Sequence, residues 1–96
     1  MKYLIIDACL GGSGIRDYYE GGYIDPDTLS LSSELKERLS NWLIRYENEH
    51  YNGYEDQLNI DQLDNEGKSI SHSIKNELQE VKVMYYSDAR MVKEQI

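Results

Sequence analysis

Two hydrophobic periods divide this chain. Near its start, "KYLIIDA" (2–8) is an apolar, β-branched and aromatic run that ends at glycines, the pattern of a buried strand. Near its end, "VKVMYY" (81–86) alternates and sets Val81, Val83 and Tyr85 on one face of a half-buried strand. Between them the period becomes helical. Leu35, Leu39, Trp42 and Tyr46 recur at steps of four, three and four, which is one face of an α-helix. Ser32 or Ser33 caps that helix, Glu34 and Glu37 sit near its positive end, and "YNGY" (51–54) stops it at Gly53. A second stripe of Leu63, Gly67, Ile70, Ile74 and Leu78 predicts a helix that starts at Gln57 or Asp61 and runs to Leu78. Gly67 falls on this stripe, where a missing side chain admits another element, at about 1 kcal/mol of helix propensity relative to alanine. "SDARMVKEQI" (87–96) predicts a short terminal helix capped by Ser87 or Asp88.

Residues 9–31 are irregular, with "GGSG", "EGG" and "DPD" as turn signals and "GYI" (22–24) as a short edge strand. A connection this long in a small domain packs or functions. The order strand, loop, helix, helix, strand predicts a small two-layer α+β domain. Two antiparallel helices would pack on a small sheet formed by the N-terminal and C-terminal strands, lying side by side. Ninety-six residues make a single domain, 1–96, with one modest core and marginal stability.

Composition adds a surface to this frame. The chain is 40% hydrophobic and 29% charged, with one proline. A mean hydropathy of -0.71 with regular apolar spacing means a small core under a strongly polar exterior, and argues against disorder. Nine tyrosines, one tryptophan and no phenylalanine supply large rings that mostly carry a hydroxyl, suited to half-buried and interface positions. The net charge of -8 repels nucleic acid phosphates and anionic membranes, so basic proteins and cations are the natural charged partners. The lone cysteine, Cys9, has no internal disulfide partner and fits a reducing cytoplasm. "MKYLIIDACLGG" is too short and too interrupted for a membrane span and makes a poor signal peptide, which predicts a cytoplasmic protein. These properties leave the oligomeric state open, and an oligomeric accessory or structural protein is one alternative reading.

Candidate chemistry is sparse. "LIIDACLGGSGIRD" looks like the opening motif of methyl-donor-dependent methyltransferases, an apolar strand with an acid followed by G-x-G spacing. The amides of Gly11, Gly12, Ser13 and Gly14, with Arg16, could also cradle a phosphate. Neither motif is complete. No lysine follows the glycines, "IRDYYEGGYIDPD" cannot open a helix, and no second strand brings an acid. A small enzyme or ligand-binding domain using residues 9–17 is therefore a secondary reading. The primary one is a glycine turn braced by Arg16 and Asp17.

Cys9 reads as a buried, inert thiol, since a nucleophile needs a histidine beside it and sequence places neither His50 nor His72 there. His72 falls on the polar side of the second helix and His50 among acids. Zinc spacing is absent, and a calcium loop with Gly67 at its sixth position would need ligands where Gln62 and Ser73 stand. The sequence predicts no metal, no cofactor, no catalytic residue and no enzymatic activity.

One segment is chemically distinctive. "ENEHYNGYEDQLNIDQLDNE" (47–66) holds seven acids and no lysine or arginine, so it carries all but one of the net negative charges. Glu47, Glu49, Tyr51, Tyr54, Glu55, Asp56, Asp61 and Asp64 are the candidate partner-binding residues, aromatics as desolvated anchors and carboxylates for steering and arginine pairing. The segments "GSGIRD", "GGYID", "LSSELKERLSNWLIRYE" and "YYSDA" resemble a group of short bacterial proteins, similar in size, acidity and tyrosine content to immunity proteins. That resemblance implies a cytoplasmic, non-catalytic inhibitor covering a basic partner protein such as a toxin nuclease.

Overall fold

Each helix begins at a side chain suited to hold it. The Ser32 hydroxyl accepts from the Leu35 amide at 3.2 Å, and Asp56 accepts from the Leu58 and Asn59 amides at 3.1 and 3.2 Å. In the computed structural model, which describes residues 1–96, these caps open α1 (Ser33–Tyr51) and α2 (Gln57–Leu78). The strands are β1 (Lys2–Ile6), β2 (Ile15–Asp17), β3 (Val81–Ser87) and β4 (Val92–Gln95), with one 3-10 turn at Pro26–Thr28. They form one sheet in the order β2-β1-β3-β4. β1 runs parallel to β3, pairing Leu4 with Val83 and Ile6 with Tyr85, while β2 and β4 flank them antiparallel.

This is the predicted two-layer α+β domain, with its first strand beside a C-terminal one. Leu4 and Ile6 of β1 and Val81, Val83 and Tyr85 of β3 meet Leu35, Leu39, Trp42 and Tyr46 of α1 and Leu63, Ile70 and Ile74 of α2 in one core. Cross-helix pairs descend in antiparallel order: Ser32 with Glu77, Arg38 with Ser69, Arg45 with Glu66, and Glu49 with Asn59. The Trp42 indole N–H donates to the Leu63 carbonyl at 2.8 Å, so the buried ring is satisfied and locks α1 to α2.

The C-terminal segment departs from expectation. No helix forms over 87–96. Ser87 does act as a cap, accepting from the Arg90 amide at 3.2 Å, but the turn closes when the Met91 amide reaches the Ser87 carbonyl at 2.7 Å. Met91 then takes a left-handed φ of 57°, which ends helical propagation and turns the chain back as β4. Pairing with β3 outweighed a cap signal followed by too few apolar positions for a helix. The edge strand expected at 22–24 is reduced to a single bridge between Tyr23 and Arg16 on the outer edge of β2, because the extended run ends at once in the 3-10 turn capped by Asp25.

Gly67 sits where α2 crosses the sheet. A Cβ there would lie 2.3 Å from the Tyr85 ring and 2.8 Å from Trp42. The Gly67→Ala variant therefore tests packing against propensity. Alanine gains about 1 kcal/mol as a helix former, whereas overpacking two fully buried rings costs about 1–3 kcal/mol. We expect a net loss of up to about 2 kcal/mol in urea unfolding, and a stabilised variant would show that the rings yield.

Candidate functional site

The glycine segment is the hairpin connection between β1 and β2. Its turn is closed by the Gly12 amide donating to the Cys9 carbonyl at 3.0 Å and the Asp7 amide donating to the Gly14 carbonyl at 3.1 Å. Gly11 and Gly14 take φ of 78° and 92°, which a side chain would strain. The segment leads into a strand instead of a helix, so it lacks the converging amides and dipole of a phosphate loop. The Ser13 hydroxyl is used internally, bonded to the Ile24 carbonyl at 2.6 Å. Arg16 braces the turn as expected. Its Nη2 lies 2.6 Å from Asp7 Oδ2 and donates to the Tyr23 hydroxyl at 2.9 Å. The contact with Asp7 lies off the hydrogen-bonding direction, and Arg16 Nε has no partner. Asp17 accepts from the Tyr19 amide at 3.0 Å.

Asp7 is 1% exposed, and burial raises its pKa above the ordinary carboxylate range despite Arg16 and the Cys9 amide. Burial also pushes the Tyr23 hydroxyl up to about 12, helped by Cys9 and Asp7. Cys9 itself is exposed, contrary to the buried thiol expected, because β1 ends at Ile6 and the turn carries Cys9 out of the core.

The acidic segment divides in the fold. Asp64 is buried, 5% exposed, and faces inward. Its Oδ1 accepts from the Tyr46 hydroxyl at 2.9 Å and the Tyr85 hydroxyl at 2.6 Å. Its Oδ2 accepts from Ser87 Oγ and Arg90 Nη1, both at 2.9 Å. Asp64 is therefore a structural carboxylate and leaves the set of surface contacts; its place on the apolar side of α2, one residue after Leu63, is the signal that could have shown this. Asp61 pairs with Arg90 at 2.6 Å, Glu66 pairs with Arg45, Glu49 accepts from Asn59 at 3.2 Å, and Asp56 caps α2. Folding thus brings arginines from outside the segment onto acids that have none nearby in sequence. Glu47 and Glu55 stay exposed without an ion pair. Tyr51 is 72% exposed, whereas Tyr54 is half-buried against Tyr46, with its hydroxyl 3.3 Å from His50 Nδ1.

The two sequence candidates share a wall. Cys9, Leu10 and Arg16 from the hairpin face His50 and Tyr54 from the helix junction across a recess of about 500 Å³. Tyr86, Asp88 and Met91 complete it. The Asp88 carboxyl is pushed up to about 6, first by burial and then by Asp7, against Arg16 and His50. Asp88 was missed in the sequence because it is far along the chain from both segments; only the parallel pairing of β1 with β3 brings it there. Cys9 and His50 line this recess, yet His50 Nδ1 faces the Tyr54 hydroxyl, and the two make no hydrogen bond with each other. No three His, Cys, Asp or Glu side chains converge as a metal site, and no helix is long and apolar enough to cross a membrane.

The domain thus has a recess at one end, flanked by exposed acids and a tyrosine. The chain belongs to the Serratia CdiI immunity protein-like family, whose model matches residues 14–88, more than three quarters of its length. Membership places it among immunity-type proteins, a class of toxin inhibitors. No curated protein and no solved structure matches it.

The buried tyrosines set an alkaline limit on the fold. Burial pushes Tyr46 up to about 12, and burial with the Asp64 carboxylate raises Tyr85 further. A hydroxyl held protonated in the fold contributes stability that is complete below pH 10 and is lost as pH rises through the folded value. We therefore expect unfolding free energy to fall between pH 10 and 12, by roughly 2–3 kcal/mol from Tyr46 alone. Tyr46→Phe should be less stable at pH 8 but lose less over that interval; equal losses in urea titrations would assign the limit elsewhere.

Proposed function

We propose that this protein is the immunity partner of a toxin with a basic active surface, and that it neutralises the toxin by covering that surface with its tyrosine-bearing acidic end. The observation that supports this most is the pairing of immunity-type family membership with an exposed Tyr51 set among unpaired Glu47 and Glu55. Rigid aromatics supply contact area at low entropic cost, and free carboxylates steer a cationic partner and pair with its arginines. Glu49, Tyr54, Asp56 and Asp61 line the same junction and add to its field, while Asp64 holds the scaffold from inside. A nuclease presents such a cationic surface to bind phosphates, so an acidic cover would act as a mimic of nucleic acid. The protein works in the cytoplasm by occupancy, without turnover.

Where a neighbouring reading frame encodes a toxin, co-expression with it should restore growth, and the purified pair should bind less tightly as salt is raised. Reversing Glu47 and Glu55 to lysine together with Tyr51→Ala should weaken binding by at least a hundredfold, which is about 2.8 kcal/mol lost across the three positions. Unchanged affinity in that triple variant would place the interface on another face.

A further inference from the structure

A polar recess of about 540 Å³ between α2 and the β3–β4 hairpin has its carboxylates already paired. Arg90 bridges Asp61 and Asp64, and Lys68 pairs with Glu94. The recess at the hairpin and helix junction does not. Arg16 on its wall is held by Asp7 and Tyr23, which leaves Asp88 as a half-buried carboxylate with no ion pair and no side-chain hydrogen bond. Tyr54 and Tyr86 line the same space, with Leu10 and Met91 as apolar rim.

We propose that this recess is a socket for one cationic side chain of the partner, an arginine, with Asp88 as its counter-ion and the rings of Tyr54 and Tyr86 as its walls. The chemistry is specific. A planar guanidinium pairs with a carboxylate through two donors and stacks on aromatic faces, and it is weakly hydrated enough to enter a recess. The volume exceeds what one side chain fills, so water accompanies it. That the arginine comes from a toxin rests on the functional reading above; the socket itself does not.

The socket is sensitive to pH. Groups around Asp88 come from every neighbouring element: Asp7 after β1, Cys9 in the turn, Arg16 on β2, His50 at the end of α1, Tyr54 in the junction after it, Asp64 on α2 and Tyr86 on β3. Burial leads them in raising the Asp88 pKa to about 6. The folded state holds this proton more tightly than the unfolded chain, so the ionised form opposes folding at neutral pH. Asp88→Asn should therefore raise the melting temperature at pH 7 while weakening the socket, a combination that a structural carboxylate would not produce.

Binding is measured by titrating N-acetyl-arginine-N-methylamide into the isotopically labelled full chain and following backbone amide shifts. Saturable millimolar binding with shifts at Cys9, His50, Tyr86 and Asp88 is expected, about tenfold weaker at pH 5 than at pH 7. It should be at least tenfold weaker in Asp88→Asn and lost with the uncharged citrulline analogue. Absence of localised shifts, equal binding by citrulline, or full binding by Asp88→Asn would overturn the proposal, as would an unstable Asp88→Asn. If the probe fails while co-expression still restores growth, the socket alone is wrong. If the probe binds and growth is not restored, the socket stands and the immunity reading falls.

Discussion

Asp64 is a charge placed inside a small core, and an isolated buried carboxylate is too costly to persist without donors. It is satisfied from four directions at once: Tyr46 on α1, Tyr85 and Ser87 on β3, and Arg90 in the turn after β3. The donors come from α1, β3 and the turn that follows it, so the ligand set fixes how these pieces meet α2. The same hydroxyls are shared onward, with Tyr46 accepting from the Ala89 amide and Ser87 from the Arg90 amide. A network in which every member is satisfied specifies one arrangement more sharply than apolar packing alone. It also gives a physical use for tyrosine in a chain without phenylalanine, since a phenyl ring at either site would fill the space but leave Asp64 short of a donor.

The polar end of the domain inherits its geometry from that network. The turn that carries Asp88 is pinned on one side by Ser87 and on the other by Ala89 and Arg90, so Asp88 is presented to the recess by a rigid mount. Across from it, the glycine hairpin is held by Asp7, Arg16 and Tyr23. Pre-set groups on a small domain lose little freedom when a partner arrives, which favours tight association from a modest area.

Much of the scaffold was legible in the sequence because it follows period and caps. The stripes through Trp42 and Ile70, the Ser32 cap and the close approach at Gly67 each depend on residues a turn or two apart. What sequence could not supply was any property set by distant pairing. Asp64 reads as one more acid until Tyr85 and Arg90 are brought over it, and the charge of 47–66 reads as unopposed until Arg45 and Arg90 arrive. Residues 87–96 have a local helix cap, yet the edge of β3 offered a ladder of backbone hydrogen bonds that local signals do not encode. Cys9 and Asp88 became neighbours of His50 and Tyr54 through sheet topology alone.

The parallel pairing of β1 with β3 also has a consequence in time. Lys2 pairs with Val81 and Ile6 with Tyr85, residues nearly eighty positions apart, with both helices between them. The α1–α2 hairpin rests on nearby contacts and can form early, but the central strand pair must first close a loop containing almost the whole chain. Three of the four donors to Asp64 come from residues 85–90, so the carboxylate stays hydrated until that closure. Until that closure, a chain that had made both helices would still lack its sheet, its buried charge network and its finished polar end.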